Sequence, residues 1–295
     1  MRNQNIFSAS LFSIAIASTA LVAAPSAHAA LAVNASSDCN ALAGLLLSGG
    51  SGVSITGCSL QGVTGQQGSF TGGLSAGIGI DTGVILTSGS VNNAPGPNSQ
   101  DGATSNVNSG TDANLQSLIP QTVFDANVLN ISFTTSTGSL FFNYVFASEE
   151  YNEFVNSSFN DVFGFFVDGS NIALIPGTST PVSINNVNCG TDGLTSTANC
   201  ALFNNNDPSN GGPFFNIQYD GFTDVFSAAA TGLNAGQTYT IKLAVGDAGD
   251  SSLDSAVFLQ GGSFSGVNPN PVPEPGTLAL LGLGLAGAAA ARRRA

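Results

Sequence analysis

The apolar residues of this chain come in short runs, and nearly every run closes on Gly, Asn, Asp or Pro. That punctuation permits strands and tight turns but stops a helix early. The residues that build solvated helix faces are almost missing. From residue 31 to 270 there are one Lys (Lys242), no Arg, no Met and three Glu. Such a stretch predicts an all-β domain, a sandwich or a barrel. Strands are expected at 53–56, 69–70, 83–87, 128–133, 139–146, 161–168, 171–175, 237–245 and 255–260. The runs at 141–146 and 162–167 are apolar on both alternations and so should be covered on both faces. Helices are expected at 40–48, after Asp38, and at 111–118 with Thr111 or Asp112 as cap. With 20 Phe and no Trp, the core should be packed with phenylalanine.

The same composition excludes several kinds of chemistry. Residues 31–270 carry 17 acids and Lys242, a formal charge of −16, and no histidine; His28 lies upstream. A Ser-His-Asp or Cys-His nucleophile lacks its base. An HExxH zinc site lacks its imidazoles. One lysine cannot displace the counterions of a nucleic-acid backbone, so no nucleic-acid partner is expected. A GxxxxGK[ST] loop is absent.

Both ends read as addresses. Arg2, the apolar stretch 6–24, Pro25 and the small-x-small sequence Ala27-His28-Ala29 form a secretory signal peptide over 1–29, to be cut by signal peptidase. After a spacer at 266–271 come Val272-Pro273-Glu274-Pro275, an apolar run at 277–291, and Arg292-Arg293-Arg294. As a helix that run would span about 22 Å, short of a ~30 Å hydrocarbon core. The arginines would hold its end on the cytoplasmic side. This tail over 272–295 resembles the PEP-CTERM sorting signal of Gram-negative bacteria. The resemblance implies recognition by an exosortase, transient inner-membrane anchoring through a hydrophobic sorting helix, and a destination at the cell surface or in the exopolysaccharide matrix of a biofilm.

The middle carries a second resemblance. Its blocks are Gly79-Ile-Asp-Thr-Gly-Val-Ile-Leu-Thr-Ser-Gly89, Tyr144-Val-Phe-Ala-Ser-Glu-Glu-Tyr-Asn-Glu153 with Asn160-Asp-Val-Phe-Gly-Phe-Phe-Val167, and Gly246-Asp-Ala-Gly-Asp-Ser-Ser-Leu-Asp-Ser-Ala-Val-Phe258. These resemble the choice-of-anchor L family. The resemblance implies an exported domain at 30–265, a jelly-roll-like β-sandwich, with no activity attached to it.

Four cysteines in an exported chain favour two disulfides, and proximity favours Cys39–Cys58 and Cys189–Cys200. A four-thiolate zinc site lacks the CxxC spacing. The acids are the only concentrated chemistry. Asp247, Asp250 and Asp254 lie between two expected strands, and Glu149, Glu150 and Asp161 (with Glu153) lie between two others. If those loops meet, their carboxylates would suit calcium, which takes about six to eight hard oxygens. The competing reading is ordinary turn acids, with Gly246 and Gly249 marking a turn. Asp81, Asn98 and Asp101 form a weaker cluster and read as structural. Asp81-Thr82-Gly83 occurs once, whereas aspartic-protease chemistry needs two such aspartates.

Three functions follow in order. The first is a non-enzymatic structural or adhesive protein of the surface or matrix. The second is a calcium-dependent carbohydrate-binding module, with Tyr151 and Tyr219 as loop aromatics while Tyr144 and Tyr239 are buried in strands. The third is a glycoside hydrolase using a carboxylate pair.

Overall fold

The computed structural model describes residues 30–268. The signal segment 1–29 with Ala27 and Ala29 lies outside the described residues. So does the sorting signal 272–295, with Pro273, Glu274, Pro275, Arg292, Arg293, Arg294 and the apolar run before them. Among the described residues no helix is long and apolar enough to cross a membrane.

The chain begins with β1 (Ala32–Ala35), α1 (Cys39–Leu46), β2 (Val53–Gln61), β3 (Gln67–Thr71), α2 (Gly73–Ala76) and β4 (Gly83–Thr87). Next come α3 (Ala113–Gln116), β5 (Val123–Thr135), β6 (Ser139–Ser148), β7 (Val162–Val167) and β8 (Ser170–Asn171). It finishes with β9 (Phe203–Asn205), β10 (Gly221–Thr223), β11 (Phe226–Thr231), β12 (Thr238–Ala248) and β13 (Ser255–Gln260). These make two antiparallel sheets. One has eight strands in the order β1-β3-β4-β13-β6-β10-β9, with β11 also on β6; the other has five, β2-β5-β12-β7-β8. The molecule is an all-β sandwich.

Strand alternation assigns each face. On β6, Phe142, Tyr144 and Phe146 point between the sheets. There they meet Phe163 and Phe165 of β7, with ring centroids 4.8–5.2 Å apart. Leu129, Ile131 and Phe133 of β5 and Leu243 and Val245 of β12 complete this core. The other alternation is buried too. Val145 and Ala147 face outward from the eight-stranded sheet into a second apolar cluster with Ile78, Ile80, Val91, Ile217 and Tyr219, supplied by loops. Val162 and Phe166 of β7 face outward from the five-stranded sheet, where Leu115 of α3 covers them. The two-sided apolar runs are thus central strands with loops and a short helix as lids.

Capping and cross-links hold the helices. Asp38 accepts the Ala41 amide at the start of α1. The disulfide Cys39–Cys58 ties that helix to β2, and Cys189–Cys200 closes the loop before β9. Asp112 caps α3 by accepting the amides of Asn114 and Leu115, and its other oxygen pairs with the Lys242 ammonium at 2.7 Å. At the far end, the Gly266 amide bonds Ser51 O and its carbonyl accepts the Thr137 hydroxyl, so the chain is still tied to the sandwich there.

Some expectations need correction. Of the strand expected at 171–175 only Asn171 joins a sheet, in β8, while Leu174 makes an isolated bridge to Pro181. The Asn171 side-chain oxygen accepts the amides of Phe165 and Ala173, taking a role the ladder would otherwise fill, and the chain turns away. Strands β1, β9, β10 and β11 were not expected. In β11 three alanines hide the alternation that the buried Phe226, Ala228 and Ala230 reveal.

Candidate functional site

Among the described residues nine acids are buried: Asp112, Asp125, Glu149, Glu150, Asp161, Asp207, Asp220, Asp247 and Asp254. The strand ends explain why most of them meet. In an antiparallel pair the end of one strand lies beside the start of its neighbour. Ser148 closes β6 opposite Ser255 of β13 and Gly221 of β10. Glu149, the next residue, therefore sits between Asp254 and Asp220. Gly246 of β12 pairs with Val162 of β7, which sets Asp247 beside Asp161. The two sheets contribute to the same end, since Ser255 of one donates its hydroxyl to Asp161 of the other at 2.7 Å.

The expected metal set does not converge as one group. Alternation splits it. Glu150, Asp161 and Asp247 continue the inward faces of β6, β7 and β12 and lie between the sheets. Glu149 and Asp254 continue the outward faces of β6 and β13 and lie on the opposite side with Asp220. Asp250 is half-buried on the β12–β13 connection, where its carboxylate accepts the Ser252 amide. Asp247 is no loop residue: it lies within β12, where a bulge at Asp125 of β5 shifts the register.

The inner acids Glu150, Asp161 and Asp247 are all buried. Asp161 accepts the Ala248 amide at 2.8 Å and the Ser255 hydroxyl. The Ser88 hydroxyl approaches Asp247, but neither oxygen of Asp247 gains a hydrogen bond of normal geometry. Burial drives the carboxyls of Glu150, Asp161 and Asp247 well up, and their mutual repulsion adds to it.

On the outer side the pattern differs between acids. Asp254 is satisfied: it accepts the Ser105 amide at 3.1 Å and the Asn93 side chain at 3.0 Å. It is a tie for the 93–105 loop, and its carboxylate fills the space a side chain at Gly89 would need. Glu149 is fully buried, and the amides of Gly102 and Ala103 approach it without bonding either oxygen. Burial first, then Asp220, pushes its carboxyl up to about 10. Lys242, the only Lys or Arg from 31 to 270, is engaged by Asp112 and Asn114 and answers none of these charges.

A third group was not anticipated. Among the described residues, Asp101, Glu153 and Asp207 form the one trio of carboxylates whose oxygens all lie within 4.8 Å of one another. Asp101 thus belongs to a different cluster from Asp81, whose side chain is exposed and apart. Glu153 follows the buried Tyr151 and Asn152, and Asp207 caps a short turn by accepting the Ser209 amide at 2.6 Å. The sequence signal for this group is the oxygen-rich run Asn204-Asn-Asn-Asp-Pro-Ser-Asn210.

The aromatic expectation also changes. Tyr151 and Tyr219 are fully buried, with Tyr151 packed 4.7 Å from Phe203, so neither offers a sugar platform. Tyr144 and Tyr239 are buried as expected. Among the described residues the most exposed aromatic is Phe214, 62% accessible, on the loop that follows Asp207, and Phe124 of β5 is exposed as well.

The Choice-of-anchor L domain model matches residues 32–265, the whole sandwich. The chain belongs to the choice-of-anchor L family. The PEP-CTERM protein-sorting motif matches residues 271–294 of the same choice-of-anchor L chain. Together the two matches mark an exported, surface-directed protein that an exosortase processes, and they point to a non-catalytic role. No curated protein and no solved structure matches the chain.

Proposed function

We propose that this protein is a structural or adhesive component of the surface or exopolysaccharide matrix of a Gram-negative bacterium. Residues 1–29 would direct export and be removed by signal peptidase. The PEP-CTERM tail would hold the chain in the inner membrane until an exosortase cuts near Pro273-Glu274-Pro275. The observation that carries this reading is the sorting motif standing directly behind one sandwich that fills the rest of the exported chain. Mass spectrometry of the protein recovered from native matrix tests it. The expected polypeptide starts near Ala30 and lacks Arg292, Arg293 and Arg294; recovery of the chain with the arginines attached would refute it.

Calcium-dependent glycan binding is the second reading. It is favoured by the surplus of oxygen donors at one end of the sandwich and by Phe214 on the loop that carries Asp207. Glycan arrays read with calcium and with chelator test it, and identical profiles would remove it. A carboxylate-pair hydrolase is the weakest reading, because the buried acids are raised by desolvation and lie away from solvent. Turnover of host exopolysaccharide that is lost in Glu149→Gln or Asp247→Asn would restore it.

A further inference from the structure

The oxygens around Asn152 are too many for the protons available to them. Its side-chain amide nitrogen lies 3.0 Å from Asn205 Oδ1, 3.1 Å from Asp207 Oδ2 and 3.0 Å from Asn210 Oδ1. An amide NH2 has two hydrogens, so three acceptors compete for them. Its own Oδ1 is fully buried and has no hydrogen-bond partner. Turning the amide over would satisfy that oxygen poorly too, because it would bring a fourth oxygen to the same point. Behind this cluster lies Asp220, fully buried, which accepts Asn98 Nδ2 at 2.6 Å on one oxygen and leaves Oδ2 unpartnered. Asp220 feels the charges of Asp207, Glu153 and Asp101, in that order. In front of it Asp101 and Glu153 are exposed, and Asp101 accepts the Ser209 hydroxyl.

We propose that Asp101, Glu153 and Asp207, with the amide oxygen of Asn152, hold a divalent hard cation of the calcium kind on the solvent side of the acid end. The donor set is all oxygen, which excludes the softer metals that select imidazole or thiolate. Calcium takes about six to eight oxygens at about 2.3–2.6 Å, and its flexible shell accepts this mixture of carboxylate and amide. An ion here removes the repulsion among the trio, and with the Asn152 amide turned over it gives a partner to the Oδ1 that then lies beside Asp207 Oδ2. Two of the three carboxylates are exposed, so solvent or an outside oxygen completes the shell. The proposal rests on the calcium reading above and moves the ion away from Asp247 and Glu150.

The test is calorimetric titration of calcium chloride into the full chain in detergent, after stripping with chelator. It compares the parent with the double variant Asp101→Asn/Glu153→Gln. Both positions are exposed, and the melting temperature in chelator checks that the variant folds as the parent does. One ion fewer per chain, or at least tenfold weaker binding in the variant, is expected. Equal stoichiometry and affinity in the two proteins would overturn the placement and leave the calcium reading standing. No binding to the parent would overturn both.

Discussion

At Gly89 one methyl group is enough to disturb the acid end. A Cβ there would overlap the carboxylate of Asp254, which is held from two sides by Ser105 and Asn93 and cannot retreat without losing those bonds. Gly89→Ala should therefore cost about 1–3 kcal/mol, the usual range for overpacking a filled site. Urea unfolding at neutral pH would show it, and a change within error would mean that the 93–105 loop yields freely. The same close approach explains why the Ser88-Gly89 pair stands where it does in the sequence. Ser88 bonds the backbone of Ser255, and Gly89 leaves room for the residue before it. Phe146 and Phe163 are a simpler case: their rings stack at 4.9 Å, and no polar group asks anything of them.

Among the elements, the two capped helices separate a cap from a charge. Asp38 and Asp112 each accept amides at a helix start, but only Asp112 also binds the lone lysine. Asp38→Ala should lose about 1 kcal/mol, an ordinary cap. Asp112→Ala should lose more, about 2 kcal/mol, since Lys242 then keeps only Asn114 as a partner. Equal losses in the two variants would show that the ion pair adds nothing beyond the cap. Element ends matter in a second way. The antiparallel arrangement brings the close of β6 and β12 to the starts of β7, β10 and β13, and acids stand just beyond or within each. A carboxylate at a strand end meets backbone amides that no longer have a ladder partner, as Asp161 meets Ala248.

For the molecule as a whole, the buried acids set how stability responds to pH. In chelator, where no ion substitutes for protons, the folded state binds its carboxyl protons more tightly than the unfolded state. Glu149 is raised to about 10 and Asp220 to about 8, both by burial first. Their stabilising contribution is complete below the ordinary carboxylate range near pH 4. It is lost as pH rises through about 8 and then about 10. The melting temperature in chelator should thus fall steadily from pH 5 to pH 9, and Glu149→Gln should flatten that slope. A melting temperature that rises over this interval would mean that the acids are ionised and paired in the folded state.

Local chemistry made much of this protein readable in advance. Turn residues between short apolar runs imply strands, and apolar residues on both alternations marked β6 and β7 as covered strands. Asp38 and Asp112 announced their helices, and the parity and spacing of the cysteines matched the pairs Cys39–Cys58 and Cys189–Cys200. The tail carried its own signal in Pro-Glu-Pro and three arginines. What the residues could not announce was which acids would meet. Glu149 and Glu150 are adjacent in the chain, yet the strand's alternation sends one to each face of a sheet. Asp101, Glu153 and Asp207 are far apart in the chain and share one point in space. Order along a strand is a local property, written in the side-chain period. The company each side chain keeps depends on which strand ends lie together, and only the closed sandwich decides that.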